Sequence, residues 1–156
     1  MPAMPVLDVD AGWSLLSPEP APALDAELLR RQARRFFAAE LGAFGPFAID
    51  VLDVLGHTTR VAVTTCAVGD APELLDAAHA AMAALGGSGF QHLVARAVWV
   101  WQFAATPLTG DDERAPLLLA AVTSSVLLAP IVAPGGSAIF GVKTARERLE
   151  KVGWRT

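Results

Sequence analysis

The chain contains no asparagine, no tyrosine and a single cysteine, Cys66, in 156 residues. One thiol cannot close an intramolecular disulfide, so the fold must rest on packing, and the count fits a reducing compartment. Charge is also scarce. Charged residues make up 18% of the chain against about 25% in an ordinary soluble domain. Lysine is almost missing, with Lys143 and Lys151 standing against ten arginines, and the net charge is −4. That balance, with one local basic cluster, excludes a general nucleic-acid binder, which needs a clustered cationic surface.

The motifs of common chemistry are absent too. His57, His79 and His92 are far apart and show no ligand spacing such as HxxxH, so no metal site is expected. Asp111, Asp112 and Glu113 lack the spacing of a calcium loop. Gly86–Gly89 follows a helical pattern and precedes an extended one, the reverse of a dinucleotide loop. Gly135 and Gly136 are not followed by the Lys-Ser/Thr of a phosphate loop. No cofactor is expected. The N-terminus carries Asp8 and Asp10 with no basic stretch before an apolar one, so no secretory signal is expected and the cytoplasm is the expected location.

Apolar surface is what the chain has in quantity. Hydrophobic residues make up 53% of it, enough to offset the entropy of ordering one domain of this length. From Ala115 to Val142 there are twenty-eight residues without a charge. A membrane span needs about 20 predominantly apolar residues. Here Thr123, Ser124 and Ser125 sit mid-run and Pro130 and Pro134 interrupt its far end. A buried element of a water-soluble core is the better reading.

Periodicity then orders the elements. Residues 1–21 read as a leader, with VLDV and WSLL as short edge strands and a stiff SPEPAP spacer, ahead of one domain over 22–156. Leu24, Leu28, Leu29, Ala33, Phe36, Phe37 and Leu41 recur at steps of three and four, predicting a helix over about 23–41 that stops at Gly42. A hairpin follows, 47–55 and 58–68, around a two-residue Gly56-His57 turn that would set Asp53 opposite Arg60. Asp70-Ala71-Pro72-Glu73 resembles a capping box opening a second helix with Leu74, Leu75, Ala78, Met82 and Leu85 inward. Residues 90–105 alternate as one long strand, and 116–129, apolar on both faces, fit a central strand, with a buried helix from Pro116 as the rival. Thr144 and Glu147 form another capping box before a last helix. The order α-β-β-α-β-β-(β)-α is that of an α+β domain around a mostly antiparallel sheet.

Candidate sites are few. Arg30, Arg31, Arg34 and Arg35 lie along one flank of the first helix, as an anion or partner patch or as a solvated face with Glu27 pairing Arg31. On a long strand His92, Arg96 and Gln102 would share a face, and Trp99, Trp101 and Phe103 the other, where they could wall an apolar pocket or anchor a second copy. Cys66, before the second helix, could have a lowered pKa at the helix N-terminus, or be a core residue. Asp50 within AIDVL would be costly to bury unpaired. These features lean away from an enzyme. They point to a homo-oligomeric binding or assembly module working through its sheet face or its Arg-rich helix. The alternative is a small cofactor-independent enzyme or ligand binder, its apolar pocket holding an acyl or polyketide-like molecule among His92, Arg96, Asp50, Cys66, Trp99 and Trp101.

Overall fold

The computed structural model describes residues 10–19, 25–45, 48–53, 55–84, 89–105 and 114–154. Their strands are β1 (Trp13–Ser17), β2 (Glu40–Phe44), β3 (Ala48–Leu52), β4 (Thr58–Ala67), β5 (Trp99–Ala105), β6 (Ile131–Val132) and β7 (Ile139–Phe140). The helices are α1 (Ala26–Phe37), α2 (Pro72–Ala84), α3 (Gln91–Arg96), α4 (Arg114–Leu127) and α5 (Val142–Lys151). The strands form one antiparallel sheet in the order β2-β3-β4-β5-β1-β6-β7. Helices pack on it, and the α+β class expected from the sequence holds.

The sheet alternates as a pleat must. Leu15, Trp101, Phe103, Ile131 and Phe140 join a core with α1, α4 and α5. Their neighbours Leu16, Val100, Val132 and Ile139 point the other way, into a smaller core with α2 and α3. The sheet is therefore covered on both faces over its β5-β1-β6-β7 half, and β1 lies at the centre of it. The WSLL segment is thus not an edge strand of a leader, because Leu15 and Leu16 are fully buried on opposite faces. VLDV at 6–9 lies outside the described residues.

The uncharged run is a helix, not a central strand. Residues 115–124 of α4 are buried without a break. A helix apolar all round has to be enclosed, and α4 contacts α1 and α5 on its flanks and β1, β4 and β5 beneath. Its composition explains the choice, because LLLAA is made of strong helix formers, and Pro116 sits in the first turn, where its missing N–H costs nothing. The hydroxyls that argued against a membrane span are each satisfied locally. Thr123 Oγ1 donates to the Leu119 carbonyl (2.8 Å), Ser125 Oγ to Val122 (2.6 Å) and Ser124 Oγ to Ala129 (2.7 Å). No helix among the described residues is long and apolar enough to cross a membrane.

The predicted strand 90–105 divides as well. Residues 91–96 form α3, and only Trp99–Ala105 is strand. The chain turns at Ala97 and Val98, where Val98 N–H donates to the Ser17 carbonyl (2.8 Å) and Val68 N–H to the Val98 carbonyl (3.0 Å). Helix α1 ends at Phe37, short of Leu41, with Ala38 in the left-handed region (φ 49°). Leu41 belongs to edge strand β2 instead. Asp25 caps α1, its carboxylate accepting from Leu28 N–H at 3.1 Å, a strong N-cap arrangement.

Three local expectations shift. The β3–β4 connection is five residues, not two: Asp53 Oδ1 accepts from both Leu55 and His57 N–H, and Gly56 takes a φ of 81°. The register accordingly sets Asp50, not Asp53, opposite Arg60. Helix α2 begins at Pro72, and the Ala71 carbonyl accepts from Leu75 N–H, so Ala71 occupies the capping position assigned to Asp70. Helix α5 begins at Val142 after Gly141, ahead of the Thr144 box. Between β6 and β7, Gly136 (φ 72°) lies so close to α2 that a Cβ there would stand 2.7 Å from that of Ala77.

Two buried tryptophans on the α4 side differ in one respect. Trp154 Nε1 donates to the Phe37 carbonyl at 2.8 Å, tying the chain after α5 to the end of α1. Trp101 Nε1 is buried with no hydrogen-bond partner among the described residues. A buried polar group left unpaired costs about 1–3 kcal/mol. Trp154→Phe therefore destabilises more than Trp101→Phe, by roughly 1 kcal/mol or more, because the first orphans a carbonyl and the second removes an orphan. Urea unfolding of the two variants measures the difference, and equal midpoints would refute it.

Candidate functional site

The arginine cluster is a clasp. Arg30 reaches from α1 over the edge strand, donating from Nε to the Leu41 carbonyl (3.3 Å) and from Nη2 to the Gly42 carbonyl (2.9 Å). It also pairs with Glu27 at 2.8 Å and stacks on the Phe44 ring. Arg34 pairs with Glu40 at the start of β2 (2.9 Å), and Arg35 lies over the Phe36 ring. Glu27 thus pairs with Arg30, not with Arg31 as its spacing suggested. Covering carbonyls of an exposed edge is one way a sheet avoids pairing with other chains. Of the four, Arg31 alone points to solvent with no partner among the described residues.

The pocket residues expected on one strand are dispersed. His92 and Arg96 lie exposed on α3, while Gln102 is buried on β5, its Nε2 donating to Ser14 Oγ at 3.3 Å. Trp99 and Trp101 lie beneath α4 in the larger core, and Trp99 Nε1 donates to Thr65 Oγ1. Their excess is absorbed by that helix, which removes the motive for self-association through this face. Asp50 is paired, accepting from Arg60 Nε at 3.0 Å. His79 is exposed, and His57 sits in the β3–β4 turn with Nδ1 3.5 Å from Asp53. No group of three metal-ligating side chains occurs among the described residues.

Cys66 is half-buried against the smaller core. Burial pushes its thiol pKa up, and the Asp70 carboxylate adds to the rise. The helix terminus does not lower it. The expected lowering fails first because burial disfavours the thiolate, and then because Asp70 brings negative charge where the dipole would have favoured it.

One cavity does gather chemistry. It has a volume of about 390 Å³ and lies at the end of the sheet where β1 leaves it. Leu16, Pro18 and Glu19 from β1 and its exit form one wall, Leu93 and Arg96 of α3 another, and Val126, Leu127, Leu128 and Pro130 the third. Its walls are held by backbone bonds. Leu16 N–H donates to the Pro130 carbonyl, and Glu19 N–H donates to Ser17 Oγ, which returns a bond to the Glu19 carbonyl.

Leu128 is the unusual member. It ends α4 in the left-handed region (φ 55°), and it is 75% exposed. A branched residue there is disfavoured by roughly 1–2 kcal/mol where glycine would be free. Its N–H donates to the Ser124 carbonyl at 2.8 Å. The groove joins two segments that sequence patterning treated separately, and only Arg96 among the expected pocket residues lines it. The signal that could have located it was α3, hidden inside the alternation of 90–105.

Two outcomes test these assignments. Arg30→Ala destabilises the protein by roughly 1–2 kcal/mol, whereas Arg31→Ala stays within about 0.5 kcal/mol, both by denaturant unfolding. Equal effects would return the cluster to a simple solvated face. Alkylation of Cys66 by iodoacetamide rises with pH through a midpoint above that of a free thiol, about 8.5, and Asp70→Asn lowers that midpoint. A midpoint below the free value would reverse the assignment.

No family model, curated protein or solved structure matches this chain.

Proposed function

We propose that this protein is a non-enzymatic binding module whose site is the groove between β1, α3 and the C-terminal end of α4. The observation that carries the reading is a pre-formed apolar cavity with one guanidinium, Arg96, that has no partner among the described residues. Small-molecule sites are concave, mostly apolar, and hold a few polar groups that fix orientation. At about 390 Å³ the cavity falls at the lower end of the usual range of roughly 300–1,000 Å³. It therefore suits a small amphiphile better than a long acyl chain.

Supporting features point the same way. Leu128 keeps a strained backbone and an exposed side chain on the rim, and such strain is characteristic of functional sites. Val98, 41% exposed, is bonded to Ser17 beside the groove. The other titratable candidates are engaged or isolated: Asp50 with Arg60, Arg34 with Glu40, Cys66 held toward the thiol form. Among the described residues no nucleophile stands with a base and an orienting group, which is the arrangement covalent catalysis uses.

The test is a map of binding on the full chain labelled with nitrogen-15. Titration with a library of small apolar fragments, charged and neutral, shifts the amides of Leu93, Arg96 and Leu128 first. Shifts centred elsewhere, or none from any fragment, overturn the reading.

A further inference from the structure

The groove carries a second charge. Glu19 lines the same cavity as Arg96, and neither charged side chain has a partner among the described residues. They form no ion pair with each other, although both line the cavity. Both backbones are fixed, Glu19 by the reciprocal bonds with buried Ser17 and Arg96 by the final turn of α3, where Ala97 N–H donates to the Val94 carbonyl. Between them the walls are aliphatic: Leu16, Leu93, Val126, Leu127 and Leu128.

We infer that the occupant is a small apolar zwitterion, a free amino acid or dipeptide with aliphatic or aromatic side chains. The inference rests on the groove being the binding site, as proposed above. It follows from charge complementarity. An anion alone would meet Arg96 but also Glu19, a cation alone the reverse, and a neutral apolar molecule would leave both unused. A molecule with an ammonium at one end, a carboxylate at the other and an apolar body uses every wall. Its carboxylate accepts from Arg96, which offers the forked donor geometry that carboxylates match. Its ammonium donates to Glu19, and its side chains cover the leucines. Because both charges face solvent, they contribute selectivity more than affinity.

The experiment compares dileucine, N-acetyl-dileucine and dileucine amide on the labelled full chain, reading the amides of Leu93, Arg96 and Leu128. Dileucine binds most tightly, and blocking either end weakens binding about two- to fivefold. Glu19→Gln abolishes the preference for the free amine while keeping that for the carboxylate, and Arg96→Gln does the converse. Both positions are exposed, so the fold is retained. Leu128→Gly relieves the backbone and weakens all three ligands alike. If a blocked form binds the groove as well as dileucine, the zwitterion is wrong and the groove stands. If apolar fragments shift the groove and none of the three peptides does, the result is the same. If no compound shifts it, both inferences fall together.

Discussion

Helix α4 has no side to give to water, and the rest of the molecule is arranged around that fact. Ten consecutive buried residues require cover in every direction, which α1 and α5 give laterally and the sheet gives from below. Each is in turn committed by the contact. Leu29, Ala33 and Phe37 fix the face α1 must present, Ala145 and Leu149 that of α5, and Trp101 and Phe103 that of β5. Trp154 closes the layer by bonding back to the end of α1. Loss of packing around α4 would therefore loosen three helices and the central strands at once, as expected for a close-packed interior.

The opposite layer is lighter, and the groove results from the asymmetry. Helices α2 and α3 cover only part of the second sheet face, and α3 is short, so the exit of β1 is flanked but not sealed. The C-terminal end of α4 extends past the sheet and forms the third wall with Leu127 and Leu128. Thus the element most deeply buried along its length leads, just past its last turn, into the most exposed apolar residue lining the cavity, Leu128. The strained backbone at Leu128 costs stability that the large core offsets.

Several surface arginines serve the fold. Arg30, Arg34 and Arg60 are each bound to neighbouring backbone or carboxylates, which covers the β2 edge and secures the outer strands. This leaves Arg96, joined by Glu19 across the cavity, as the arginine whose placement beside apolar walls suits a ligand.

Much of the architecture was legible in the sequence because burial leaves a period. The 3.6-residue stripe of α1, the stripe of α2, the β-branched density of β3 and β4, and the α+β class all follow from which residues must leave water. Where the pattern has no period, the sequence was mute. A run apolar on every side reads equally as strand or helix, and enclosure by α1, α5 and the sheet decided it. The alternation of 90–105 concealed a helix because Leu93, Val94 and Ala97 satisfy both templates, and the bonds of Val98 to Ser17 and Val68 broke it. The groove was invisible for a different reason. Glu19, Arg96 and Leu128 are far apart along the chain, and no local pattern encodes that the exit of one strand, a short helix and the end of another will meet. Local periodicity determined the elements that carry a single period, and only long-range packing decided α3 and α4 and brought these three residues to one cavity.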